Sequence, residues 1–280
     1  MPLYDNHNHC QFSFDGKSTC VEATAREASR KGLGGICFTD HYDILLPKVK
    51  ALYEETVPET FDIPSQQKEI DRVQALLREE GSPLRIFKGM ELGVCREARE
   101  DIAKVLDENS FDEVIASVHY LDDTDPYWGP YYEGKSWKEA YSHYLEVLLE
   151  EMRWLGDRFD IMGHFDYIVR YAPYPEASIM WKDFPDLLDE ILLFLAENGK
   201  ALEVNTKTYQ MYRGRTPLLD PAILERFREK GGEFISLGSD SHRAEGVAFN
   251  FEKTARWLFG QGCRWEVHYE GRKPIVTALG

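Results

Sequence analysis

The sequence predicts an α/β protein in which seven strand–helix units close into a parallel barrel. Three observations carry that reading. Short apolar runs alternate with longer helical patterns along the chain, which requires parallel strands joined by right-handed crossovers. The 280 residues suit the roughly 250 that an α/β barrel uses. Ligand-type polar residues sit at the carboxyl ends of most predicted strands, whereas an open sheet would gather them at one switch point. No G-x-G-x-x-G follows a strand, which weakens dinucleotide binding. No linker or low-complexity segment divides the chain, so one domain over residues 1–280 is expected.

The first strand holds Asp5, His7 and His9, and strand alternation puts the two imidazoles on one face. Ser18, Thr19 and Glu22 open a helix over residues 21–31, which Gly32 ends. A second strand over 34–41, buried on both faces, terminates in Asp40 and His41. Residues 43–64 contain Pro47, Pro58 and Pro64 and read as a long, lid-like loop. A polar helix over 65–80 leads to a third strand ending in Glu91, and a helix over 96–109 to a fourth ending in His119. An aromatic loop with Tyr127, Trp128, Tyr131 and Tyr132 precedes a long helix over 136–154. The fifth strand ends in His164, and residues 165–185 form a second long loop. A helix over 184–198, a sixth strand over 200–205 and a helix over 217–230 lead to the seventh strand, 233–242, which carries Asp240 and His242. A helix over 251–259 and a polar tail complete the chain.

Composition narrows the function. Hydrophobic residues make up 43% and charged residues 29%, an ordinary globular balance. No apolar run approaches the ~20 residues of a membrane span. The first residues carry neither the basic nor the apolar region of a secretory signal, so a cytoplasmic protein without membrane contact is expected. Five cysteines with no C-x-x-C argue against a disulfide framework and fit a reducing compartment. A net charge of -16 opposes nucleic-acid binding. An anionic substrate would then need local positive charge, which bound divalent cations supply.

Six of the eight histidines, His7, His9, His41, His119, His164 and His242, fall at predicted strand ends, while His143 and His268 do not. Asp5, Asp15, Asp40, Glu91 and Asp240 lie with them. About nine donors exceed the four to six that one ion takes, so two or three ions sharing a carboxylate are expected. Asp240 and His242 repeat the one-face spacing of His7 and His9. Asp40, adjacent to His41, faces away from it and is expected to orient rather than ligate, and Asp5 to orient the first strand or its histidine.

These residues carry a resemblance. Asp5-x-His7-x-His9, Thr39-Asp40-His41, Gly89-Met90-Glu91, Ser117-Val118-His119, Gly163-His164 and Gly238-Ser239-Asp240-Ser241-His242 resemble the ordered motif set of the PHP (polymerase and histidinol phosphatase) superfamily. Residues 117–121, 163–171 and 202–206 are similar to its stand-alone histidinol-phosphate phosphatases. The resemblance implies a distorted, TIM-like (β/α)7 barrel with a metal site at the C-terminal ends of the strands. It implies a first ion on His7, His9, Glu91 and Asp240, with Glu91 bridging to a second on His119 and His164, and a third on Asp15, His41 and His242. Zinc, iron or manganese would occupy the sites. The implied reaction is hydrolysis of L-histidinol phosphate by a hydroxide held between ions, with Glu91, Asp240 and His242 as the catalytic set.

Phosphate also needs donors, and Arg170, Arg213, Arg215 and Arg243 follow strand ends, with Lys207 nearby. Arg170 and Arg243 are the preferred pair. Tyr42, Asp43 and Trp128 are expected on the lids, reading the imidazole and ammonium of the substrate. A homo-oligomer stays open. The alternatives are a protein-tyrosine phosphatase of the same superfamily, another small-molecule phosphoesterase, and an amidohydrolase-type hydrolase. The last would place a bridging lysine where this chain has His119.

Overall fold

Strands and helices alternate as the periodicity demands, in a computed structural model that describes residues 2–44, 59–121 and 124–279. Pro47 and Pro58 of the expected lid, and the Trp128 side chain, lie outside the described residues. Several helices begin at a side-chain cap that the sequence offers. Asp62 accepts from Ser65 N–H at the start of α2 (Ile63–Glu79), and Ser136 with Glu139 forms a full capping box on α4 (Trp137–Leu155). Proline opens α5 (Pro185–Glu197) and α6 (Pro221–Glu229), where its missing N–H costs nothing. The others are α1 (Val21–Arg30), α3 (Arg99–Glu108) and α7 (Phe251–Gly260).

The strands are β1 (Tyr4–Asp5), β2 (Gly35–Phe38), β3 (His41–Asp43), β4 (Arg85–Gly93), β5 (Glu113–Ser117), β6 (Ile161–Met162), β7 (Ala201–Asn205) and β8 (Ile235–Gly238). They pair in parallel in the order β1-β2-β4-β5-β6-β7-β8, with β3 also on β4. The expected second strand is therefore broken into β2 and β3. Thr39 N–H leaves the ladder for Asn8 O at 2.8 Å, and the Asp40 carboxylate accepts from Cys10 N–H at 2.7 Å and Ser13 N–H at 3.1 Å. Asp40 thus anchors the loop after the first strand. Beyond β1 the backbone turns to the last strand. Asn6 N–H donates to Leu237 O at 2.9 Å, Asp240 N–H to His7 O at 2.8 Å, and His9 N–H to Ser241 O at 2.8 Å, which closes the barrel. Asp5 ties the same seam, accepting from Ser239 N–H at 2.9 Å and Ala248 N–H at 2.7 Å.

The polar tail is a correction. Residues beyond α7 form an antiparallel hairpin, β9 (Trp265–Glu270) with β10 (Lys273–Ala278), seated at the N-terminal end of the barrel. Val267 and Tyr269 pack on Ile115, Ile161 and Ala201, and Arg272 N–H donates to Asp112 O at 2.9 Å. Glu266 and His268 are buried there, so the segment's polarity hides a strand that plugs one barrel mouth and leaves the other for the site.

Candidate metal centre

Strand geometry delivers the side chains. His41 opens β3 opposite Glu91 of β4, while His119 and His164 each lie two residues past β5 and β6. Asp240 follows β8 in the left-handed region at φ 51°, a conformation that aspartate tolerates better than most residues and that turns the chain toward His242. Asp15 arrives on the loop that Asp40 anchors.

The imidazoles converge on one carboxylate, Glu91, which is fully buried. Its Oε2 lies 2.9 Å from His41 Nδ1, 3.2 Å from His7 Nε2 and 3.4 Å from His9 Nε2. Its Oε1 lies 2.8 Å from His164 Nε2 and 3.2 Å from His119 Nε2, and accepts from Ser117 Oγ at 2.8 Å. To one side, His9 Nε2 is 3.5 Å from Asp240 Oδ1, and Asp15 Oδ2 is 2.7 Å from His242 Nε2 and 3.6 Å from His41 Nε2.

Buried polar atoms ordinarily find hydrogen-bond partners. Here His7 Nε2, His9 Nε2, His41 Nδ1 and Glu91 Oε2 are buried without a well-directed hydrogen bond, although they crowd together. Lone pairs aimed at common points are what cations satisfy, and the donor set fits them. Among the described residues, four groups each hold ligand atoms within 4.8 Å of one another: His9, Asp15, His41, His242; His7, His9, Asp240; His7, Glu91, His164; and His41, Glu91, His119. All nine donors expected from the sequence fall in these groups. Nitrogen with carboxylate oxygen suits zinc, iron or manganese.

Charge is arranged to match. Burial opposes the Glu91 carboxylate, yet His7, His41 and His119 hold it well below the usual range. Burial likewise opposes Asp240, which Lys207 and Arg170 keep ionised. Burial, reinforced by His242 and His41, pushes His9 well down, leaving it neutral and able to ligate.

Residues 5–207 match the family model described as the PHP domain, well over half of the chain. The chain belongs to the PHP domain family. Asp240 and His242 lie beyond the matched stretch, and barrel closure returns them to His7 and His9. Histidinol-phosphatase of Lactococcus lactis is 35% identical over 246 residues, covering 88% of this chain and 86% of the relative. The crystal structure of histidinol phosphate phosphatase from Lactococcus lactis, complexed with zinc, L-histidinol and phosphate, matches with a TM-score of 0.84 at 30% identity, covering 98% of each chain. A solved chain from Listeria monocytogenes shares the fold, with a TM-score of 0.69 at 17% identity over 89% of this chain and 99% of that one.

In this PHP chain a cavity of about 330 Å³ opens over the histidines, lined also by Arg170, Lys207, Glu59, Asp125 and several tyrosines. Arg170 is buried, donating from Nη1 to Asp240 Oδ2 at 2.9 Å and from Nε and Nη2 to Thr208 Oγ1 at 3.0 and 2.8 Å. Lys207 Nζ donates to Asp240 Oδ1 at 2.9 Å. Tyr42, Arg213, Arg215 and Arg243, expected near the substrate, stand outside this cavity lining. Tyr42 alternates away from His41 and Asp43 and packs edge-on against Phe61, 5.9 Å between ring centroids. Arg213 sits in the loop closed by the Tyr212–Arg215 bridge, Arg215 donates to Ala172 O at 3.0 Å, and Arg243 follows the β8 turn; none of these lines the cavity. Asp43, expected to read substrate, does line the cavity, with Oδ1 2.8 Å from His119 Nδ1 and Oδ2 3.4 Å from His41 Nδ1.

Sequence reasoning missed Glu203 as a support. Its Oε1 is 2.7 Å from His7 Nδ1, and its Oε2 accepts from His164 N–H at 2.5 Å. A Cβ at Gly238 would stand 2.3 Å from Glu203 Oε1, so glycine is needed to admit that carboxylate. A signal existed: strand alternation puts Glu203 on the face of Asn205, whose amide reaches Asp240 at 3.3 Å.

Proposed function

We propose that this chain hydrolyses L-histidinol phosphate to L-histidinol and inorganic phosphate, a step of histidine biosynthesis. The observation that carries the reading is the convergence of His7, His9, His41, His119 and His164 on the two oxygens of buried Glu91. Likeness to the Lactococcus lactis histidinol-phosphatase, solved with zinc, L-histidinol and phosphate, supports the substrate.

His7, His9, Asp15, His41, Glu91, His119, His164, Asp240 and His242 would hold two or three divalent cations. Bound there, the cations would supply charge for the phosphate oxygens and a lowered pKa for an attacking water. Glu91 stands in two of the ligand groups, with His7 and His164 and with His41 and His119, and so is the carboxylate that two cations would share. Asp240 and His242 complete the catalytic set, with Asp240 fixed by Arg170 and Asn205. Arg170 and Lys207 face the cavity as donors to phosphate oxygens. In the reaction the water oxygen bonds to phosphorus, the ester P–O bond breaks, and the leaving alkoxide takes up a proton as L-histidinol. The same reading treats residues 1–280 as one domain, because the last barrel strand and the hairpin that plugs the barrel follow the matched stretch. It puts the enzyme in the cytoplasm, a location that its five free cysteines suit. No described helix is long and apolar enough to cross a membrane.

The test is phosphate release from L-histidinol phosphate and from a phosphotyrosyl peptide after reconstitution with zinc, manganese or iron. Preference for histidinol phosphate is expected. Glu91→Gln removes the carboxylate on which five imidazoles converge and should cost about a thousandfold in rate, or about 4 kcal/mol. Faster turnover of the peptide would move the assignment to a tyrosine phosphatase.

A further inference from the structure

The hairpin that plugs the barrel stands on its edge. Glu266, Val267, His268 and Tyr269 alternate faces along β9 and all four are buried, whereas Lys273, Pro274, Ile275 and Val276 alternate faces along β10 and all four are exposed. Both faces of the inner strand are covered and both faces of the outer strand are open, so β10 projects from the base of the barrel, away from the metal centre. The turn residues Gly271 and Arg272 both take the left-handed region, φ 53° and 66°, and join Glu270 to Lys273 as a hydrogen-bonded pair. Alternate residues beyond Lys273 then bond to β9, and Leu279 N–H keeps that rhythm in donating to Arg264 O at 3.0 Å. Pro274, Val276 and Ala278 turn their backbone groups to the opposite edge, which pairs with no strand among the described residues. Ile275 is 41% exposed and Val276 48%, and Trp265 at the end of β9 is 49% exposed. An open edge with apolar side chains is a template for another strand.

We propose that a second copy of this chain pairs its own β10 antiparallel along this edge, about a two-fold axis through Val276, joining two barrels base to base. The edge complements itself in that register. Val276 N–H and O meet O and N–H of Val276 in the second copy, and Ala278 N–H meets the Pro274 carbonyl, so the proline is asked only to accept. A register centred on Pro274 would oppose two residues that lack N–H groups. On one face Val276 meets Val276, and Ala278 is small enough to leave Trp265 open to Pro274 of the second copy; on the other face Ile275 meets Thr277, a β-branched pair. Charge agrees with the pairing. Lys273 is exposed and forms no ion pair among the described residues, and the register carries it to the end of the second copy's hairpin. There Glu233, also exposed and without an ion pair among the described residues, borders a groove with Trp265. One short strand buries less than the roughly 1,200 Å² of a stable complex, so the dimer is transient, with a Kd on the order of 10–100 μM. Both cavities open at the far ends of the pair and stay accessible.

The experiment is sedimentation velocity on the metal-loaded full chain over about 1–500 μM, where a reversible monomer–dimer equilibrium is expected. Val276→Lys sets two ammonium groups against each other at the axis, and Val276→Pro removes an N–H that β9 does not use. Each should weaken dimerisation at least about tenfold while Tm stays within about 2 °C of wild type. Lys273→Glu and Glu233→Lys should each weaken it, and the two together should restore it. A wild type that stays monomeric at about 500 μM, or a dimer whose Kd in both Val276 variants lies within about twofold of wild type, overturns the pairing.

Discussion

Glutamine at position 203 is a severe test of how the site is held, because it keeps the volume of the side chain and removes one acceptor. Glu203 Oε1 serves His7 Nδ1 at 2.7 Å and Asn205 Nδ2 at 3.2 Å, while Oε2 serves His164 N–H at 2.5 Å. A glutamine has one acceptor oxygen, so its NH2 must face either His7 Nδ1 or His164 N–H. Facing His164, it strands a buried backbone donor, which costs about 1–3 kcal/mol. Facing His7, it forces the imidazole into the tautomer whose Nε2 carries the proton, and that atom is the one 3.2 Å from Glu91 Oε2. Either way Glu203→Gln should lower Tm by several degrees, at ~2–4 °C per kcal/mol. It should also weaken metal binding about ten- to a hundredfold. Competition with a chromophoric chelator gives the affinity, elemental analysis the ions per chain, and melting with and without EDTA the stability. A variant with wild-type Tm and metal affinity within twofold of wild type would refute the two-donor account.

Three further outcomes follow from the same geometry. Chelation should destabilise the protein, since a ligand at a thousand times its Kd contributes about 4.1 kcal/mol, and readdition of zinc or manganese should restore Tm; a melting curve indifferent to EDTA would count against the centre. Arg170→Lys keeps the charge but loses the fork that joins Asp240 to Thr208, so kcat/KM for the phosphate ester should drop at least about tenfold; equal activity would show that charge alone suffices. Burial raises the Glu266 carboxyl from 4.5 to about 8, despite the hydrogen bond from Tyr4 N–H. The folded state therefore binds the proton more tightly than the unfolded chain. Its contribution is fully present below about pH 4.5 and is lost as pH rises through about 8, at about 1.4 kcal/mol per pH unit. Glu266→Gln should flatten that part of the stability profile measured by denaturant titration, and an unchanged slope would refute it.

The fold and the donor set were readable before any coordinates because both rest on short periods. Alternation by two aligns His7 with His9 and Asp240 with His242, and parallel strands deliver their carboxyl ends to one rim. The expectation for Tyr42 overlooks that alternation, since counting from His41 puts the ring on the outer face. Asp43 and Glu203 share faces with expected ligands, yet sequence spacing does not say whether a carboxylate reaches a cation or stops at the far nitrogen of an imidazole. Arg213, Arg215 and Arg243 followed strand ends without the cavity, because loop residues have no period to fix their direction. The hairpin at residues 265–278 was hidden by its polarity, since Glu266 and His268 are buried against the expectation for charged side chains.

By itself, then, the chain specified which elements form, in what order, and which atoms can bind a cation, since these depend on contacts a few residues apart. Only the closed barrel decided which carboxylates prop imidazoles, and that Glu59 and Asp125 face the same cavity as Arg170. Those outcomes depend on strand stagger and on side chains 30 to 230 residues apart meeting at ångström distances, as when Asn6 Nδ2 donates to Ser236 Oγ at 3.0 Å or Cys10 N–H to Asp40 Oδ1 at 2.7 Å.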